Sequence, residues 1–306
     1  MTFLTNAFTT ITSVIIVFTS LSTPTTSKSL EYGIYSIDPT HYQLNNFTIH
    51  HYFSTWHPNE NARNIDILTK INSTINNPRL SPKSGLITLE PWPIFNENKD
   101  QSLLLTNIAN GLYSKPIADF CGLIEKSAKS TITVRWGHEM DLFQSSSYPW
   151  TTPDTALFIK AYKKWVDTCN QSTSKVKYMW SPSGHKGNDK YYPGDNYVDY
   201  VGMSWYSYPA FEWYTYGKKI LTFKQHMDWK YNYLKGFNKP IIAAEFGAAE
   251  TNKTDVLKMI KNKSLIERDY PLLHSIILFS DYTPSWIPNK ISNPDWRLDK
   301  EYLSTL

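Results

Sequence analysis

At 306 residues, with 41% hydrophobic and 19% charged side chains, the chain can bury a large core and is not a disordered tail. Its mean hydropathy of −0.42 and a single apolar window near spanning length, at the N-terminus, exclude a multi-span membrane protein. The net charge is +4 with no basic run, so no nucleic-acid partner is indicated.

In chain order, residues 1–28 read as a signal peptide: the apolar stretch within Ile11–Leu21 is followed by Ser and Thr around Pro24. No Lys or Arg precedes that stretch, so an uncleaved anchor is the alternative, and membrane contact is expected only in that case. Cleavage would fall between Ser20 and Ser29, leaving a secreted or cell-surface protein. Residues 29–306 form one expected domain, because no internal repeat or low-complexity linker divides them. Apolar runs at Tyr32–Ser36, Phe47–Phe53, Gly85–Leu89, Thr131–Trp136, Val176–Trp180, Tyr200–Tyr206, Pro240–Glu245 and Ser275–Phe279 predict eight strands. Helical periodicity falls between most of them, at 115–128, 154–169, Thr222–Leu234 and Thr254–Ile260. The first two strands leave room for one helical turn at most.

This alternation predicts an α/β fold, a (β/α)8 TIM barrel. A doubly wound sheet is the rival, but neither Gly-x-Gly-x-x-Gly nor Gly-x-x-x-x-Gly-Lys occurs among the 12 glycines, so no nucleotide is expected. Cys121 and Cys169 fall in consecutive predicted helices. They exclude a disulfide-dense scaffold and a structural zinc site; a bond between them and two buried thiols both stay open.

In such a barrel, chemistry collects at the C-terminal strand ends. Here the runs end in His50-His51-Tyr52, Glu90-Pro91-Trp92, Arg135-Trp136-Gly137-His138-Glu139, Trp180-Ser181-Pro182, Trp205-Tyr206 and Glu245-Phe246-Gly247. Glu139 and Glu245 end the fourth and seventh runs and can face one another across the mouth. Retaining glycoside hydrolysis needs such a pair about 5–5.5 Å apart, one carboxyl as nucleophile and the other as acid and then base. Strand alternation puts Arg135 and Gly137 in phase with Glu139, Ile241 and Ala243 in phase with Glu245, and Gly202 and Ser204 in phase with Tyr206. If these phases face the lumen, Arg135 and Tyr206 approach Glu245 and hold it ionised, while the acidity of Glu139 falls in the field of its neighbour.

Arg135-Trp-Gly-His-Glu-Met-Asp141 resembles the acid/base segment of glycoside hydrolase family 26. Tyr192-Pro-Gly-Asp-Asn-Tyr-Val-Asp-Tyr-Val-Gly202, Lys239-Pro-Ile-Ile-Ala-Ala-Glu-Phe-Gly247 and Asp295-Trp-Arg-Leu298 resemble its sixth-strand approach, nucleophile strand and C-terminal segment, in the same order. The resemblance runs from about Tyr32 to Leu306. It implies a clan A retaining endo-β-glycosidase with Glu139 as acid/base and Glu245 as nucleophile, with His138 beside the cleaved bond and Tyr206 on Glu245; Arg135, from its strand phase, is the further supporting residue. The resemblance implies β-mannan as the default polysaccharide, with β-1,3-1,4-glucan or β-1,3-xylan as alternatives, and no cofactor. One departure is that Asp141-Leu142-Phe143 follows His-Glu-Met, so the next aromatics, Tyr148 and Trp150, come late.

Aromatic residues are 15% of the chain, and Trp56, Trp92, Trp150, Trp205, Trp213 and Trp286 fall at or after strand ends, where indole faces can stack on pyranose rings. The substrate-binding set is His51, Trp56, Glu90, Trp92, Trp150 and Trp286; Trp136 and Trp205 have the opposite phase and are expected against helices. His50 and His51 are adjacent, so only one points inward. No metal is expected, since residue 142 is Leu where His-Glu-x-x-His needs His. No Gly-x-Ser-x-Gly elbow supports a serine hydrolase. A monomer is expected. A non-catalytic carbohydrate-binding barrel or an anchored structural protein would share the fold, and the presence of both glutamates speaks for the enzyme.

Overall fold

The computed structural model describes residues 29–77, 84–95, 101–143, 148–184, 187–282 and 291–306. The expected leader and Trp286 lie outside the described residues. Eight parallel strands, β1 (Glu31–Ser36), β2 (Ile49–Thr55), β3 (Ser84–Glu90), β4 (Ile132–Trp136), β5 (Val176–Trp180), β6 (Tyr200–Ser207), β7 (Ile241–Ala248) and β8 (Leu273–Ser280), pair in sequence order, and β8 closes on β1. Around them run α1 (Asn61–Ile75), α2 (Gln101–Ala109), α3 (Ser114–Ser127), α4 (Thr155–Asn170), α5 (Pro209–Thr215), α6 (Phe223–Leu234), α7 (Asn252–Lys261), α8 (Lys263–Asp269) and α9 (Lys300–Leu303). The chain folds as a (β/α)8 barrel. A single 3-10 turn, Pro39–Gln43, bridges β1 and β2, as their short connection requires.

Local chemistry sets the helix starts. Asp154 accepts the amide of Leu157 at the head of α4, and Thr222 and Gln225 form a capping box at the head of α6. Outward strand residues such as Ile87, Val134, Trp136, Trp180, Val201 and Trp205 pack under the helices in one large apolar layer. Trp205 stacks on Phe246 at 4.3 Å, and Trp136 stacks on Trp165 at 6.3 Å, so both indoles face helices as their phase predicts. Cys121 of α3 and Cys169 of α4 are joined by a disulfide with Cα atoms 5.4 Å apart.

A smaller apolar plug fills the lumen floor: Ile49, Leu86, Met179, Ile242, Ala244 and Ile277. Its membership corrects the expected phase of β7. Ile242 and Ala244 face inward there, while Ile241 and Ala243 join the outer layer. Between Ala243 and Glu245 the register with β6 shifts by one residue, so β7 carries a bulge at Ala244. The bulge resets the alternation and aims Glu245 into the lumen. Glu245 thus points inward although the strand below it has the opposite phase.

Candidate active site

Arg135 is the hub. Its guanidinium is fully buried beneath the mouth of the barrel. Nε donates to Ser181 Oγ at 2.8 Å, one terminal nitrogen donates to Ser204 Oγ at 3.0 Å, and the other donates to Glu245 Oε1 and, at 3.5 Å, to Thr88 Oγ1. β3, β6, β7 and the loop after β5 are thereby tied to one planar donor fork, which suits arginine and no shorter cation. The second oxygen of Glu245 accepts from the Tyr206 hydroxyl at 2.5 Å. Glu245 is 8% exposed, and both its oxygens take charge-assisted or phenolic donors, the arrangement that an ionised carboxylate fills.

Glu139 lies three residues beyond the end of β4, not within it. Gly137 and Glu139 have φ of +55° and +53°, so simple strand alternation does not aim this side chain; a tight turn does. The left-handed backbone at a glutamate carries strain of order 1 kcal/mol or more, the kind of local cost often found at functional sites. The loop after β5 holds the turn: the Glu139 amide donates to the Ser181 carbonyl at 2.8 Å, and the Ser183 amide donates to Asp141 Oδ1 at 2.9 Å. The Glu139 carboxyl is pushed up to about 7, first by burial and then by the negative charge of Glu245, with Arg135 and the Ser204 hydroxyl pulling the other way. Burial outranks the neighbouring charge that strand phase alone suggests. Ser204 therefore bears on both carboxyls, lowering the Glu139 pKa and accepting from the arginine that holds Glu245.

The remaining expected site residues divide into floor and wall. His51 is fully buried, with Nε2 2.8 Å from Thr88 Oγ1, and burial together with Arg135 holds its pKa well below 6.5. It supports the floor and has no exposed edge for a ligand. His50 points outward against Tyr42. His138 is 2% exposed, kept neutral by burial and by Arg135, and its ring lies 5.1 Å from that of Tyr148. Glu90 accepts from Trp92 Nε1 at 3.0 Å, and burial raises its pKa.

The aromatic expectations need correcting. Trp56 is 2% exposed, donates to the Trp92 carbonyl at 2.9 Å and packs on Tyr113, so it offers no face to a sugar. Trp150 is fully buried, with Nε1 on the His138 carbonyl at 2.7 Å. Its role is to back Tyr148, which stacks on it at 4.6 Å, and Trp92, which meets it edge-on at 5.4 Å. Trp92 is 38% exposed and is the indole available here. Tyr148, not in the expected set, has a phenol whose pKa is raised first by burial and then by the charges of Glu139, Glu245 and Glu90, so it lies near all three. Ser181, Ser204 and Thr88 were also outside that set. Their inward phase on named strands was the available signal, but small hydroxyls carry no chemistry that sequence alone distinguishes. Among the described residues no group of three or more His, Cys, Asp or Glu side chains could hold a metal ion.

Comparison with known protein families matches residues 131–292 to the family described as Glycosyl hydrolase family 26. The chain belongs to glycosyl hydrolase family 26. It is thus a glycoside hydrolase of a retaining clan A family, and a polysaccharide is the substrate the family implies. A curated relative, Endoglucanase H of Acetivibrio thermocellus, is 26% identical over 229 residues, covering 70% of this chain; the chain spans 22% of that relative's length. Among solved structures, a family 26 β-mannanase from Bacteroides ovatus is similar with TM-score 0.54 and 14% identity, covering 82% of this chain and 80% of that one. A β-mannanase from a symbiotic protist of the termite Reticulitermes speratus, complexed with gluco-manno-oligosaccharide, gives 0.57 and 13%, covering 91% and 86%. The endo-β-1,4-mannanase of Cellulomonas fimi gives 0.57 and 13%, covering 82% and 65%. At these identities the solved structures establish the shared fold alone.

Proposed function

We propose that this family 26 hydrolase is an exported endo-β-glycanase acting by double displacement, with Glu245 as nucleophile and Glu139 as acid/base. Glu245 attacks the anomeric carbon while the protonated Glu139 gives its proton to the leaving oxygen; a glycosyl-enzyme forms, and Glu139 then takes a proton from the water that releases it. The division of labour rests on one contrast: Glu245 has a donor on each oxygen, whereas burial and its neighbour's charge hold a proton on Glu139 up to about pH 7. His138 and Tyr206 position the sugar and the nucleophile, and Glu90, Trp92 and Tyr148 form the wall against which the polymer lies. No cofactor takes part in this scheme. Export is consistent with the apolar leader and with a disulfide between Cys121 and Cys169, a bond that persists in oxidising compartments.

β-Mannan is the first substrate reading. Mixed-linkage β-glucan is the second, favoured by the endoglucanase relative. A reducing-sugar assay of the wild type, Glu139→Gln and Glu245→Gln against mannan, mixed-linkage glucan, β-1,3-xylan and cellulose tests the proposal. Hydrolysis of one polymer, lost in both variants, is expected. Polymer binding without turnover by the wild type would instead support a carbohydrate-binding barrel.

A further inference from the structure

Helix α6 buries a lysine. Phe223, Met227 and Leu234 form its core-facing stripe, and Lys230 occupies the same stripe, 6% exposed. An ammonium taken from water without compensation is costly, so its partners matter. Nζ donates to the carbonyl of Ser183 at 2.6 Å and to the carbonyl of Ser204 at 2.6 Å. The first carbonyl belongs to the loop that grips Asp141 through the Ser183 amide and hydroxyl. The second sits where the β6–β7 register shifts, and the hydroxyl of the same Ser204 lowers the Glu139 pKa and accepts from Arg135. The stem of Lys230 packs against Gly184, whose φ of +88° turns the β5 loop over it.

We propose that Lys230 is a positioning residue for the general acid: its ammonium ties the Ser183 and Ser204 carbonyls together behind the active site and sets a positive charge beneath the Glu139 turn. The proposal rests on the reading of Glu139 as the acid. The charges and polar groups facing Glu139 are Arg135 from β4, Glu245 from β7, the Ser204 hydroxyl and the Tyr206 phenol from β6, the Tyr148 phenol, Asp141 on its own turn, and Lys230 from α6. Burial pushes the Lys230 ammonium down to about 8, against the upward pull of Glu139 and Asp141, so it is still charged where the acid is protonated. Glu139 raises the Lys230 pKa, and because such coupling is mutual the ammonium favours the ionised carboxyl and keeps the proton transferable near neutrality.

Lys230→Met keeps the stem and removes the charge and both hydrogen bonds. On a polymer substrate, whose leaving oxygen must be protonated, kcat is expected to fall about tenfold or more with little change in KM, and the alkaline limb of kcat/KM to move up by about 0.5–1 pH unit. A loss of activity with the limb unmoved would mean a packing role alone and would overturn the proposal. Should Lys230→Met not accumulate folded, the reciprocal effect is measurable in a protein that retains Lys230: the ammonium titration followed by 15N NMR in the wild type and in Glu139→Gln. Removing the carboxylate should lower the Lys230 midpoint, because coupling between two sites is mutual. Identical midpoints overturn the proposal. Full activity of Glu139→Gln would instead overturn the acid assignment, which is a separate result.

Discussion

Replacing the Glu139 carboxyl by an amide, Glu139→Gln, should abolish turnover of polymer and at the same time stabilise the fold at alkaline pH. The carboxyl is shifted from its ordinary 4.5 to about 7. The folded protein therefore holds a proton that the unfolded chain releases once the pH passes about 4.5, and stability from this group is lost as pH rises through about 7. At about 1.4 kcal/mol per unit, the full shift corresponds to about 3 kcal/mol. The side chain keeps some contact with solvent and shares its field with Glu245, so about 1–3 kcal/mol at pH 8 is the working figure, or roughly 2–10 °C in Tm. Thermal or urea unfolding of the wild type and Glu139→Gln at pH 4.5, 6 and 8 reads this directly. The curves should nearly coincide at pH 4.5 and separate progressively above it, with the variant more stable. Equal stability at pH 8, or a less stable variant, would refute the view that this carboxyl is held protonated against a fold-imposed cost.

Other outcomes follow from the same contacts. In the wild type, kcat/KM should decline with a midpoint near pH 7 as Glu139 ionises, and Tyr206→Phe, which removes a donor from Glu245, should lower kcat on aryl glycosides without destroying the fold. Arg135→Met leaves the Glu245 carboxylate buried without its cation; a loss of about 3–5 kcal/mol in urea unfolding is expected, with activity reduced at least a hundredfold. Trp92→Ala should raise KM for polymer while sparing kcat on a short aryl glycoside, because Trp92 is exposed and its indole donates to Glu90, not to Glu139 or Glu245. Reducing the bond between Cys121 and Cys169, which are 48 residues apart, should lower stability to urea by about 2–4 kcal/mol.

Much of the barrel was legible because a parallel sheet covered on its outer face writes its strands as short apolar runs, and all eight runs correspond to strands. The amphipathic periodicity of 154–169 and Thr222–Leu234 likewise marks α4 and α6 to within a residue or two. The site was legible in its ionisable groups: Arg135, Glu245 and Tyr206 meet as their strand-end positions suggest. What alternation could not supply was geometry created by irregular backbone. The bulge at Ala244 and the left-handed turn at Glu139 each break the period of two, and both are needed to bring the glutamates into one network. Burial of Trp56 and Trp150 was equally hidden, since an indole at a strand end can cap the apolar layer or face the mouth with the same local sequence. Lys230 left one trace, a lysine on the buried stripe of α6.

The most direct test of the two-carboxylate account is the anomeric configuration of azide products. With an activated aryl β-glycoside, Glu139→Ala should still form the glycosyl-enzyme on Glu245 and release a β-glycosyl azide, while Glu245→Ala should admit azide in place of the nucleophile and give the α-azide. The same anomer from both variants, or the α-azide from Glu139→Ala, would contradict the assignment.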